Sequence, residues 1–182
     1  GEEPVELTRA FMSRTPFVWP VLNIPRPFGG TPLFEAYRRS GRILAAMPFA
    51  FYYSPYQGPT LEHYSPVAYY RKLIELFTHF TSRRMLLRRL ASTTRPLVRT
   101  AHLVRTAVKR QRLRAFKRIL AMLESDRQFR AFHEGETTPL PEFYHREFER
   151  MLESYAALVP RAERIPELDR GEGVGHAGLR AL

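Results

Sequence analysis

The 182 residues contain no cysteine. Disulfides, zinc–thiolate sites and a cysteine-held iron–sulfur cluster are therefore excluded on this chain. Lysine is scarce as well, three residues against 26 arginines, so the basic character rests on a side chain suited to bidentate phosphate or carboxylate contact. No apolar run reaches the ~18 residues of a membrane-spanning helix. The amino-terminal stretch GEEPVELTRAF is acidic and lacks the apolar centre of a secretory signal. It also lacks an initiator methionine, and a chain processed or cut from something longer is expected. No HExxH pair, GxSxG elbow or P-loop occurs, so no self-contained metalloprotease, hydrolase or NTPase is evident. RNP, KH and zinc-knuckle signatures are missing too, which argues against sequence-specific nucleic-acid binding. No internal repeat is visible.

What is present suffices for a core. Hydrophobic residues make up 44% and aromatics 13%, so disorder is not the default. The length fits one ordinary domain or the end of a larger one. The tail differs. RAERIPELDRGEGVGHAGLRAL, residues 161–182, is glycine-rich and poor in large apolar side chains, and reads as disordered.

The net charge of +11 is uneven. Residues 71–118 carry fifteen Arg and Lys against one acid, Glu75, a local balance of +14. Such a band suits phosphate, nucleic acid, an anionic membrane face or an acidic partner, and equally a solvated helix face.

Most of the chain reads as helix. PVELTRAFMS, 4–13, suits a short amphipathic helix with Pro4 in its first turn, and Val5, Leu7, Phe11 and Met12 are expected to share much of one face. FVWPVLNIP is a short apolar run between prolines, read as one buried strand regular over Val21–Ile24. Thr31 is a good N-cap and Pro32 a good first helical residue, with Leu33, Phe34 and Tyr37 as apolar contacts and Gly41 at the left-handed stop. Helix, strand, rigid loop, helix is the grammar of a parallel α/β unit, and such a strand needs partners that this chain does not show. MPFAFYYSPYQGPTLEHYSP reads as an edge strand, Phe49 to Tyr53, and an irregular crossing loop.

Ser65 and Pro66 open a helix to about Phe80, and Thr81 or Ser82 starts another through MLLRRL. A long helix from about Pro96 to Leu123 has a single expected stripe, running from Leu97 and Val98 through Leu103, Val104 and Val108 to Leu113, Phe116, Ile119 and Leu123. Asp126 starts a further turn that Gly135 breaks. Pro141 opens the last helix, which ends before Pro160. Among the six histidines, His133 with Glu134 and His145 with Glu147 are candidate metal ligands, weighed against ordinary surface or core positions.

The turn PFGGTP, residues 27–32, holds the candidate site. Glycines at the carboxyl edge of a sheet let backbone approach a ligand closely, and Arg26 is placed to bind an anion; a plain strand-to-helix turn is the competing reading.

The run VLNIPRPFGGTPLFEAYRRSGRIL, residues 21–44, resembles the last strand, loop and helix of the radical S-adenosylmethionine (radical SAM) barrel, in members often fused to a cobalamin-binding domain. MPFAFYYSPY, SPVAYYRKLIELF, TSRRMLLRRL and FRAFHEGETTPLPEFYHREFERML are similar to the C-terminal extension of such proteins. The resemblance spans residues 1–165, with Pro27 to Leu33 as its most transferable motif. It implies a fold class that is mainly α: one terminal βα unit of an incomplete parallel α/β barrel, then a helical C-terminal extension. The implied organisation is a barrel end over 1–48, an aromatic and proline-rich crossing segment over 49–64, the extension over 65–160, and the tail over 161–182.

The resemblance further implies that Asn23, Arg26, Phe28, Gly29, Gly30 and Thr31 border the S-adenosylmethionine or substrate site. Phe49 to Tyr56 would cover the barrel mouth or a hydrophobic, lipid-like substrate, although aromatic packing in an ordinary core is the simpler reading. S-adenosylmethionine, a [4Fe–4S] cluster and, in the fused members, cobalamin would belong to the full-length protein, none of them held by this chain alone. The remainder of the barrel is the implied partner. A cytoplasmic location, peripheral to a membrane if the basic helices meet one, is expected. The family's C-x-x-x-C-x-x-C is absent here, so the chain is expected not to be catalytic by itself. The alternative is a basic helical accessory subunit that binds RNA, a large complex or an anionic membrane surface.

Overall fold

The computed structural model describes residues 4–15, 27–44 and 46–158. The expected strand Val21–Ile24 and the tail 161–182 lie outside the described residues. What is described is mainly helical: α1 (Pro4–Arg14), α2 (Pro32–Arg39), α3 (Pro66–Phe80), α4 (Arg83–Ala91), α5 (Pro96–Ser125), α6 (Arg127–Glu134) and α7 (Glu142–Leu152), with 3-10 segments at Phe49–Phe51 and Glu153–Leu158. The only β pairing among the described residues is an isolated antiparallel bridge between Ile43 and Pro59. No helix among them is long and apolar enough to cross a membrane.

Side-chain chemistry sets the helix boundaries. Thr31, Ser65 and Ser82 each accept a backbone N–H three residues on, opening α2, α3 and α4. Asp126 Oδ1 does the same for Phe129 N at 3.0 Å, opening α6. The α2 stop is a Schellman motif: Gly41 N donates to Arg38 O and Arg42 N to Tyr37 O, with Gly41 at φ 66°. Gly135, at φ 80°, ends α6 in the same way.

The chain divides into two compact units. The first takes its described residues from Gly1–Pro25 and Leu61–Arg130. In it α3 packs on α5 and α1, and α4 packs on α5. Phe77 meets Phe116 edge to face at 5.0 Å, and Met12, Leu76 and Phe80 form a cluster with Val5 against it. The expected single face of α1 divides. Val5 and Met12, seven apart, turn inward, whereas Leu7 and Phe11 are exposed. The expected stripe of α5 divides too. Leu113, Phe116, Ile119 and Leu123 are buried, but Leu97, Val98, Leu103, Val104 and Val108 are exposed. Val98 and Phe116, eighteen residues and five whole turns apart, share one azimuth, so the stripe divides along the length of the helix as well as around it.

Arginines finish these helices. Arg88 donates to Ser13 O (2.7 Å) at the end of α1, and Arg89 to Phe80 O (2.8 Å) at the end of α3. Arg110 donates to Thr81 O (3.0 Å), Arg99 to Leu90 O (3.2 Å) in the last turn of α4, and Arg130 to Leu123 O (2.6 Å) at the end of α5. A cation on the last carbonyls of a helix satisfies orphan acceptors and opposes the negative end of the dipole. Part of the arginine excess is thus architectural.

The second unit takes its described residues from Arg26–Thr60 and Ala131–Leu182. Residues 49–51 form a single 3-10 turn rather than the expected edge strand, closed by Phe51 N donating to Pro48 O at 2.9 Å. Pro48, directly before it, has no backbone N–H to give to a ladder. Arg42 stacks 4.4 Å from the Tyr37 ring centroid and donates to Thr60 O, while Thr60 N returns a 2.7 Å bond to Arg42 O.

Candidate functional site

The turn entering α2 carries the described part of the expected site; Asn23 and Arg26 lie outside the described residues. Thr31 N and Thr31 Oγ1 both donate to Phe28 O, at 3.1 and 2.6 Å. Thr31 Oγ1 then accepts Phe34 N at 3.2 Å. Gly30 sits at φ 78°, the left-handed third position of a type II turn, which disfavours every residue with a Cβ. A Cβ built on Gly30 would meet nothing within 4 Å. The glycine is therefore required by conformation, and open space stands beside it. Phe28 is half exposed, and Gly29 and Gly30 are exposed. The turn is a stiff, solvent-facing ledge whose backbone can be approached closely.

Two polar groupings in the second unit had no signature in the sequence. His133, fully buried, is hydrogen-bonded through Nε2 to Tyr144 Oη at 2.8 Å. Burial pushes its pKa down to about 3, so the ring is neutral. Tyr56 donates to Glu147 Oε2 at 3.2 Å, and Arg150 donates to the same oxygen at 2.7 Å. Burial first, then the Glu147 carboxylate, raise the Tyr56 pKa. Gln57 Nε2 donates to Pro59 O at 2.9 Å. Around these groups Phe51, Tyr56, Phe132, Phe143 and Tyr144 pack as tilted and edge-to-face rings. The Phe49–Tyr56 aromatics whose side chains are described thus serve chiefly as core: Phe51 and Tyr52 are buried, and only Tyr53 is exposed.

The expected ligand pairs do not converge. His133 is buried and Glu134 exposed, while His145 is exposed and Glu147 buried. No group of three His, Cys, Asp or Glu among the described residues is placed to hold a metal ion. Without a cysteine thiolate, the residues of this chain do not fit the ligand set of a [4Fe–4S] cluster.

In the first unit Glu6, Arg9, Ala10, Ser13 and His79 line a cleft of about 360 Å³. Ser13 Oγ lies 2.9 Å from His79 Nε2 and donates to Arg9 O at 2.9 Å. The hydroxyl has one proton; with that proton on the Arg9 carbonyl, it accepts from His79. The pair is then a clasp between α1 and α3 rather than a nucleophile with its base. Burial, followed by Arg9, Arg84, Arg89 and Arg88, lowers the His79 pKa. Sequence spacing gives no hint of this pair, whose members are 66 positions apart.

Comparison with known proteins adds no relative: no family model, curated protein or solved structure matches this chain.

Proposed function

We propose that this chain is the C-terminal part of a radical SAM enzyme, contributing the last barrel strand, the rim of the active site and a helical extension. The run from Val21 to Leu44 carries the reading, and the turn at its centre supports it. Phe28 to Thr31 forms a stiff ledge, beside which Gly30 leaves open space. In this reading the ledge lets the backbone lie against S-adenosylmethionine or the substrate. Asn23 and Arg26 add an amide and a cation to the same rim, and Val21 to Ile24 close the barrel wall. The cluster that cleaves S-adenosylmethionine is held by cysteines on a preceding part of the polypeptide, because this chain has none.

Anaerobic expression of the natural full-length product with iron, sulfide, dithionite and S-adenosylmethionine tests the proposal. Release of 5′-deoxyadenosine by that product, and none by the 182-residue chain alone, is the expected outcome. A full-length product with no cluster and no 5′-deoxyadenosine would overturn it.

A second reading, a basic accessory module for RNA, a large complex or an anionic surface, is favoured by one observation. No carboxylate residue occurs between Glu75 and Glu124, while thirteen Arg and Lys do. Filter binding to RNA across a salt series tests its nucleic-acid form, which requires a steep loss of binding with salt.

A further inference from the structure

We infer that the outward face of the first half of α5 is a docking surface for an anionic lipid bilayer. The inference stands apart from the enzymatic assignment above.

The observation is an inverted amphipathicity. Between residues 97 and 111 the buried side chains are His102 and Thr106, with Thr106 Oγ1 bonded to His102 O at 2.8 Å. The larger apolar side chains point the other way: Leu97 is 81% exposed, Val108 57%, Val104 56% and Leu103 49%. From Leu113 onward the order is normal, with Leu113, Phe116, Ile119 and Leu123 buried. A soluble helix gains nothing by turning its leucines and valines to water over four turns while burying histidine and threonine.

The charges fit a bilayer. At 100° per residue, Leu103, Ala107, Val104, Leu97, Val108 and Ala101 span about 160° of the helix. No charged residue between 97 and 111 falls inside that sector. Arg105 and Arg112 stand along one edge; along the other, Arg99 and Arg110 add positive charge while their guanidinium groups hold the carbonyls of Leu90, Thr93 and Thr81. Arginines flanking an apolar face can extend their guanidinium groups to phosphates while the face enters the acyl boundary. Leu87 on α4 is also exposed, at 65%, and no carboxylate occurs from residue 76 to 123 to repel an anionic surface.

Other occupants fit less well. A nucleic-acid groove would put cations at the centre of the face, where phosphates are contacted, rather than at its margins. A partner helix in a coiled coil needs only a narrow seam.

Flotation of the full chain with vesicles provides the test. One set is phosphatidylcholine; the other is an equimolar mixture with phosphatidylglycerol. The chain should float with the anionic set only, and less so as salt rises. Arg105→Gln and Arg112→Gln should each lower partitioning about fivefold. The double variant Leu97→Asp, Val104→Asp should abolish it with the circular dichroism unchanged, since both positions are exposed. Because the chain has no cysteine, Val104→Cys and Ser125→Cys accept a polarity-sensitive fluorophore at one place each. The emission should shift to the blue on anionic vesicles at position 104 and not at 125. Equal flotation with neutral vesicles, binding untouched by the double variant, or no shift at position 104 would each overturn the inference. So would binding to RNA or to a second copy of the chain in the absence of vesicle binding.

Discussion

The Arg89 guanidinium lies 4.4 Å from the centroid of the Phe80 ring and donates a 2.8 Å hydrogen bond to the carbonyl of the same residue. One fully buried cation thus serves Phe80 twice, by cation–π attraction and by closing the end of α3. Burial lowers its pKa, yet guanidinium remains protonated at neutral pH. Arg89→Ala removes both contacts and the packing of the stem. It is expected to destabilise the first unit by about 3 kcal/mol. Arg89→Met, which restores volume without the donor, should lose less. Urea unfolding of both variants checks the order.

The turn before α2 predicts two smaller effects. Thr31→Ala removes the hydroxyl oxygen to which Phe34 N donates and should lower local stability by about 1 kcal/mol. Gly30→Ala should lose a similar amount through its positive φ alone, because the space beside it is open. Faster hydrogen exchange at Glu35 N, which donates to Thr31 O, reports both.

His133 makes the second unit acid-sensitive. Its folded pKa of about 3 lies below the ~6.5 of an unfolded histidine. The unfolded chain therefore takes up the proton first as pH falls. The contribution is complete above ~6.5 and is lost toward pH 3, at up to ~1.4 kcal/mol per pH unit. His133→Gln should flatten that slope in denaturation curves. In the wild type, the ring NMR signals of His133 should not titrate between pH 5 and 8.

Tyr56 predicts the opposite flank. Burial and Glu147 raise its pKa, so its contribution is complete below the ~10 of a free phenol and is lost as pH climbs above it. Tyr56→Phe should lose about 1 kcal/mol at neutral pH through the missing bond to Glu147, and should lessen the alkaline loss. Thermal unfolding at neutral and alkaline pH measures both.

Local chemistry made the helix ends legible. Thr31, Ser65, Ser82 and Asp126 cap, and Gly41 and Gly135 stop, because each signal acts within three or four residues. The α5 stripe misled, since apolar spacing tells which side of a helix is apolar and not which part of its length other elements cover: Leu113, Phe116, Ile119 and Leu123 are buried, and Leu97, Leu103, Val104 and Val108 are not. Residues 49–53 misled because aromatic, strand-prone composition gave no warning of the 3-10 turn after Pro48. Ser13 with His79, and Tyr56 with Glu147, were invisible, because tertiary packing joins positions 66 and 91 apart. At the candidate site the turn chemistry of Phe28 to Thr31 was readable, whereas the strand beside it lies outside the described residues.

The enzymatic reading turns on whether the missing cysteines precede this segment. Sequencing the natural message upstream of the Gly1 codon measures that directly. An in-frame C-x-x-x-C-x-x-C is the predicted result. A start codon immediately before Gly1, with no such coding sequence ahead of it, would contradict the account.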